Sequence, residues 1–156
     1  YLWYASHFRH VLDDAKGYGW EVEVRGHRWE ELIGKKRQET HRLHRAQTDK
    51  RMPNAGVEVV TGRGKLIDAH TIHVAAPANR TITAKTILLA TGTTPSVIDI
   101  VGKELCVSSD HILELEKFPT KLGIIGAGYI ACEFACMFAA WGCETHMVYR
   151  KDLPLR

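Results

Sequence analysis

The chain has 156 residues, enough for one domain or for parts of two. It is 45% hydrophobic and 25% charged, an ordinary globular composition that excludes a mostly disordered chain. The net charge of +3 is uneven: residues 35–51 hold seven Lys/Arg against two Asp/Glu, and the remainder holds 14 against 16. One basic segment on a near-neutral body is not by itself a nucleic-acid-binding composition.

Residues 1–15 place Tyr1, Tyr4, Ala5, Phe8, Val11, Leu12 and Ala15 at helical spacing, which predicts a helix burying that face until Gly17 and Gly19 end it. No basic region or cleavage site precedes this helix, so no signal peptide is expected, and Tyr1 points to a start of translation further upstream. A second helix is predicted over 28–51, with a thin stripe at Trp29, Leu32, Ile33 and Leu43, stopped by Pro53, Asn54 and Gly56. The period then changes. Val57–Thr61 is a β-branched run, Lys65–Ile67 and Thr71–Ala75 flank a turn at Asp68–His70, and Asn79-Arg80 turns into Thr81–Thr83, together an antiparallel meander. Thr86–Ala90 is apolar on both faces and reads as a strand central in a layered sheet. Residues 93–118 form a connection, with Ser109 or Asp110 capping a short helix that reaches Leu115.

The chain closes on strand Lys121–Ile125, turn Gly126–Gly128, helix Tyr129–Trp141 and strand Glu144–Tyr149. The turn Gly126-Ala127-Gly128-Tyr129-Ile130-Ala131 has the form GxGxxA between a strand and a helix, the context that motif requires. The first glycine permits a tight turn, the second lets a pyrophosphate approach the backbone, and Ala131 lets the helix pack close to the sheet. Amides at the helix start then hold phosphates. At the end of the next strand an NAD-binding unit ordinarily carries an acid for the ribose 2′-hydroxyl. Here Tyr149 stands there, with Arg150 next and Arg156 six residues on, and two guanidinium groups suit a 2′-phosphate. NADPH is therefore expected over NADH.

The run Thr86-Ile-Leu-Leu-Ala-Thr-Gly92, followed by the GxGYIAxEFA helix, resembles the FAD-dependent pyridine nucleotide-disulfide oxidoreductases. Within them, Lys121–Arg156 is most similar to the glutathione-reductase type, and the first helix is similar to the stretch that follows the family's redox-active disulfide. The resemblance implies an α/β fold made of parts of two Rossmann-like dinucleotide-binding domains, for FAD and NADPH, with a small antiparallel β-meander and N-terminal helices. Residues 1–95 would be the C-terminal part of the FAD domain, 96–118 a connection and 119–156 the N-terminal part of the NADPH domain. Hydride would pass from NADPH through flavin to a disulfide, with glutathione disulfide as substrate, in a cytoplasmic homodimer.

Residue by residue, the resemblance implies that Gly64 meets the adenine and that Thr91 and Gly92 close over the flavin's phosphate and ribitol region. Gly126, Ala127, Gly128 and Ala131 would take the NADPH pyrophosphate, and Arg150 and Arg156 the 2′-phosphate. Tyr129 would lie over the flavin and swing aside for the nicotinamide, whose pocket Ile130 lines. Glu133 would contact the carboxamide and pair with a lysine upstream of Tyr1, and its neighbours Ile130 and Phe134 predict that it points inward. The family's cysteine pair and histidine base have no counterpart in this chain, which is expected to be an internal segment without turnover of its own. Ala46, Gln47, Thr48 and Asp49 stand where the family carries a tyrosine for glutathione. Mercuric, trypanothione and dihydrolipoamide reductases are the related alternatives; the Arg150/Arg156 pair speaks against the NAD-using last.

Three features carry plainer readings. Cys132 and Cys136, one helical turn apart, are expected as small core residues rather than a redox or metal pair, and with no CxxC the four cysteines fit a reducing cytosol. His7/His10 and His41/His44 are expected at the surface, with no metal site. Lys35–Arg51 as a nucleic-acid-binding module is the alternative of another class, without the interleaved aromatics such a module uses.

Overall fold

A computed structural model describes residues 1–150 and 152–155. It has two compact units, residues 1–39 with 98–156, and residues 40–97. Both mix helices with sheet, as an α/β fold requires.

In the first unit, α1 (Leu2–Ala15) runs into a 3₁₀ turn (Lys16–Tyr18) and stops at Gly19, which takes a left-handed φ of 83°. α1 packs on a later helix, but not through the expected face. It buries Leu2 and Ser6, whereas Tyr4 and Phe8 are 70% and 65% exposed. A helix lying against one neighbour buries one narrow stripe, and nothing among the described residues covers the wider aromatic side.

α2 (Trp29–Arg45) keeps regular geometry to Arg45 and then widens into a π turn (Ala46–Arg51) before the single turn α3 (Met52–Asn54). The predicted single helix is thus three pieces. Thr48 Oγ1 donates to the His44 carbonyl at 3.0 Å, a side-chain bond to the backbone in the turn where the helix changes form.

The second unit's sheet is the expected meander: β1 (Gly62–Leu66), β2 (Thr71–Pro77) and β3 (Arg80–Thr83), antiparallel in that order. A bulge between Gly62 and Gly64 shifts the register. A Cβ on Gly62 would sit 2.5 Å from the Ala75 carbonyl oxygen and 2.6 Å from a Val74 methyl, so the bulge needs glycine. Two expected strands are not in ladders. Val57–Thr61 has no strand partner, and is held instead by the Glu58 carboxylate against the Arg80 guanidinium. Thr86–Ala90 also lacks a ladder, and Leu88 and Leu89 are 87% and 64% exposed. A central parallel strand needs strands beside it, and none of the described strands pairs with this one.

The first unit resumes with a 3₁₀ turn (Lys103–Leu105) and α4 (Ser109–Ile112), with Ser108 rather than Ser109 or Asp110 at the N-cap position. Then come β4 (Lys121–Ile125), α5 (Tyr129–Ala140) and β5 (Glu144–Val148), a parallel βαβ unit in register from Lys121↔Glu144 to Ile125↔Val148. α5 ends as a left-handed cap: Gly142 has φ 89°, its N–H bonds the Ala139 carbonyl at 2.9 Å, and the Cys143 N–H bonds that of Phe138 at 3.0 Å.

The core gathers Leu2, Trp29, Ile33, Ile112, Phe134, Met137, Phe138 and Cys143. Trp29 donates from Nε1 to the Leu115 carbonyl at 2.8 Å, and Lys36 donates to that of Leu113 at 2.9 Å. His27 stacks on Trp141 at 5.5 Å, and the partial desolvation there lowers its imidazole pKa although the residue keeps an exposed side. No helix among the described residues is long and apolar enough to cross a membrane.

Two outcomes follow from this packing. Phe138→Ala should cost about 3–5 kcal/mol in denaturant unfolding, against about 0.5 kcal/mol or less for the exposed Phe8→Ala. Because the folded state disfavours the charged His27 imidazole, the unfolded chain takes up its proton first on acidification. Its contribution to stability is complete above the ordinary imidazole pKa of 6.5 and is lost as pH falls towards the lowered folded value. Urea midpoints should therefore fall less between pH 7 and pH 5 in His27→Phe than in the parent chain.

Candidate functional site

The strongest constellation lies at the carboxyl ends of β4 and β5. Gly126 leaves β4 with φ 123°, and its N–H donates to the Val148 carbonyl at 2.9 Å. That bond pins the start of the turn to the end of β5. Gly128 caps α5 in an extended conformation, with φ −73° and ψ 174°. The first bond into the helix is donated by Cys132 to the Gly128 carbonyl at 3.1 Å. The amides of Tyr129, Ile130 and Ala131 therefore lie in the first turn with no carbonyl one turn back. Their N–H dipoles make this end attractive to an anion. A Cβ on Gly126 or Gly128 would meet nothing within 4 Å, so the backbone is open to close approach.

Ala127 and Ala131 are half-buried, and Tyr129 and Ile130 are exposed, the tyrosine at 70%. Arg150 is exposed just beyond β5, at the edge where the glycine turn begins. Arg156 lies outside the described residues. Glu133 departs from expectation: it is exposed, at the flank of the stripe through which Phe134, Met137 and Phe138 enter the core. Of the two cysteines, which share one helix face, Cys136 is exposed and Cys132, against the Ala127 carbonyl, is half-buried, so only Cys132 comes near the expected core role.

One contact had no sequence signal. The Leu155 N–H donates to the Ala127 carbonyl at 2.8 Å, returning residues 152–155 to the glycine turn. Leu155 adopts φ 63°, a conformation that leucine's presence does not announce.

In the second unit Gly64 lies exposed on β1, where a Cβ would make an ordinary 3.5 Å contact with Ile72. No crowding within the sheet demands glycine there. Thr91 and Gly92 are exposed in a segment without regular structure, with Gly92 at φ 73° and open space around it. No hydrogen bond among the described residues joins them to Gly64.

Among the described residues no three His, Cys, Asp or Glu side chains converge as a metal site. The basic run is partly neutralised within the first unit: Lys35 pairs with Glu31 at 3.1 Å, and Lys36 and Arg37 share Glu114, whose carboxyl pKa those two hydrogen bonds depress.

Comparison with known proteins agrees with this geometry. The family model described as pyridine nucleotide-disulphide oxidoreductase matches residues 5–156. The chain is 40% identical to the chloroplastic/mitochondrial glutathione reductase of Pisum sativum over 156 residues, 99% of the chain and 28% of that protein. It is 35% identical to the glutathione reductase of Burkholderia cepacia, over 99% of the chain and 34% of that protein. With the glutathione reductase of a Nostoc strain it shares 36% identity, over 98% of the chain and 32% of that protein. It thus spans about a third of these relatives' length. Among solved structures, a mutant of the HOCl-induced flavoprotein disulfide reductase RclA of Escherichia coli, in its Cu(II) complex, superposes with a TM-score of 0.73 at 26% identity, covering 92% of this chain and 32% of that one. The non-mutant complex gives 0.71 at 28% identity, covering 81% and 30%. A strand, a glycine turn pinned to its neighbour and a helix N-terminus open to phosphate thus stand in a chain that belongs to the pyridine nucleotide-disulphide oxidoreductase family.

Proposed function

We propose that this chain is the central segment of an NADPH-dependent FAD disulfide reductase of the glutathione-reductase type. The observation that carries the reading is the open glycine turn: unpaired first-turn amides and Arg150 occupy one edge of a parallel βαβ unit. A dinucleotide needs that combination, with amides for its diphosphate and a cation for a 2′-phosphate. In this reading residues 119–156 open the NADPH domain, 96–118 connect, and 1–95 complete the FAD domain.

Each residue then has a task. Gly126, Ala127, Gly128 and Ala131 form the diphosphate cradle, and Arg150 and Arg156 receive the 2′-phosphate. Tyr129, exposed at the start of α5, has room to cover the nicotinamide site or swing away, which excludes water when it closes. Ile130 forms an apolar wall beside it, and Glu133 accepts from the carboxamide. Gly92, in a left-handed conformation with open space, fits a backbone that closes on a ligand, with Thr91 beside it and Gly64 towards the adenine. Bound flavin would supply the hydride acceptance and electron transfer to a disulfide that side chains cannot provide. The redox cysteines, the histidine base and a homodimeric partner belong to the rest of the enzyme in this proposal. A reducing compartment such as the cytoplasm suits its four free thiols.

One observation favours a second acceptor. Ala46, Gln47, Thr48 and Asp49 occupy the widened end of α2, where the glutathione type carries a tyrosine. Mercuric ion and trypanothione disulfide therefore belong beside glutathione disulfide in the same assay.

The intact protein should purify yellow, bleach with NADPH without oxygen, and regain its colour on adding glutathione disulfide. A colourless protein, or one that NADPH leaves yellow, would refute the reading. Arg150→Ala should raise KM for NADPH by about tenfold, the worth of one charge-assisted hydrogen bond to phosphate, and leave KM for NADH within about twofold. Steady-state kinetics with both nucleotides measures this.

A further inference from the structure

We propose that Leu155 is a positioning residue: its backbone straps the Arg150 loop to the glycine turn, and so sets discrimination for the 2′-phosphate. The inference rests on the dinucleotide reading above. Two hydrogen bonds define the strap. Gly126 N–H reaches the Val148 carbonyl at 2.9 Å, and Leu155 N–H returns to the Ala127 carbonyl at 2.8 Å. Val148 and Leu155 are therefore tied to adjacent residues of one turn. Arg150 lies between them in sequence, and Arg156 follows Leu155.

The backbone at Leu155 shows that this closure has a conformational cost. Its φ is 63°, and among the described residues only Asn79, a type that tolerates such angles, is the other non-glycine at positive φ. The preceding Pro154 favours a turn whose next position ordinarily asks for glycine. The leucine side chain is 65% exposed, so packing does not explain the conformation. The bond to Ala127 is the compensation that the structure shows. Ala127 belongs to the diphosphate cradle, so the strap fixes the spacing between that cradle and the cation beside it. A ligand that spans both gains from this preorganisation. One that lacks the 2′-phosphate uses the cradle alone and gains nothing.

The test separates backbone from side chain in the intact protein. Leu155→Val keeps the N–H but makes positive φ much harder for a β-branched residue, and Leu155→Gly keeps the N–H and makes it easy. Fluorescence titration with NADPH and NADH should show Leu155→Val losing about fivefold in NADPH affinity, with NADH changed by less than about twofold. Leu155→Gly should keep the parent ratio. Leu155→Thr, also β-branched, repeats the measurement should the valine variant not fold. An unchanged ratio in the β-branched variants, an equal loss for both nucleotides, or a glycine variant that behaves like the valine variant would each overturn the strap. A parent protein that does not distinguish the two nucleotides would overturn the 2′-phosphate reading together with it. A parent that does distinguish them, with an unchanged ratio in Leu155→Val, sinks the strap alone.

Discussion

The hydrogen bond from Gly126 N–H to the Val148 carbonyl is the constraint around which the functional edge is organised. It joins the residue after β4 to the last residue of β5 and is the closing bond of the Ile125↔Val148 pair, so the turn starts directly from the end of the ladder. Only with the turn held there does α5 begin where its first amides face outward at the strand ends. The φ of 123° at Gly126 is the local requirement for this route, and a side chain there would be strained despite the free space around it.

Behind that edge, rigidity comes from aromatic packing supported by a few buried polar contacts. Trp29 reaches across to the Leu115 carbonyl, and its ring lies 5.7 Å from that of Phe138 and 5.3 Å from that of Phe118. Lys36, nearly covered, donates to the Leu113 carbonyl just after α4 and also meets Glu114. These contacts hold α2 and the segment after α4 together, and the shared rings of Phe118, Phe138 and Trp141 carry that support to α5. One cost is visible: Trp141 Nε1 is buried with no hydrogen-bond partner among the described residues. The helix bearing the cradle is therefore fixed mainly from its far side, which leaves its N-terminus uncovered.

The parts legible in the sequence were those whose causes are local. β4, α5 and β5 are found within a residue of expectation, because the glycine turn, the apolar strand and the left-handed cap at Gly142 each act over a few neighbouring residues. The meander was legible for the same reason, through the turns at Asp68–His70 and Asn79. Misreadings concern features decided by distant partners. Thr86–Ala90 has a strand's composition but no pairing neighbour among the described strands, and α1 has an aromatic stripe but buries Leu2 and Ser6 instead. Glu133 has apolar sequence neighbours, yet each helical step turns the side chain by about 100°, which brings it to the flank of the buried stripe. The return of Leu155 to Ala127 depends on a backbone angle that its side chain does not encode.

The tryptophans divide in a way that has an optical consequence. Trp29 and Trp141 lie 5.4 Å apart with their rings 73° from coplanar, while Trp3 and Trp20 are exposed to solvent. Two indoles so close and so oriented couple their excited states and give a signed couplet in ultraviolet circular dichroism. The exposed pair adds mainly red-edge fluorescence. The chain thus carries an intrinsic chromophore pair that reports the order of one unit, separately from the tryptophan-free β-meander.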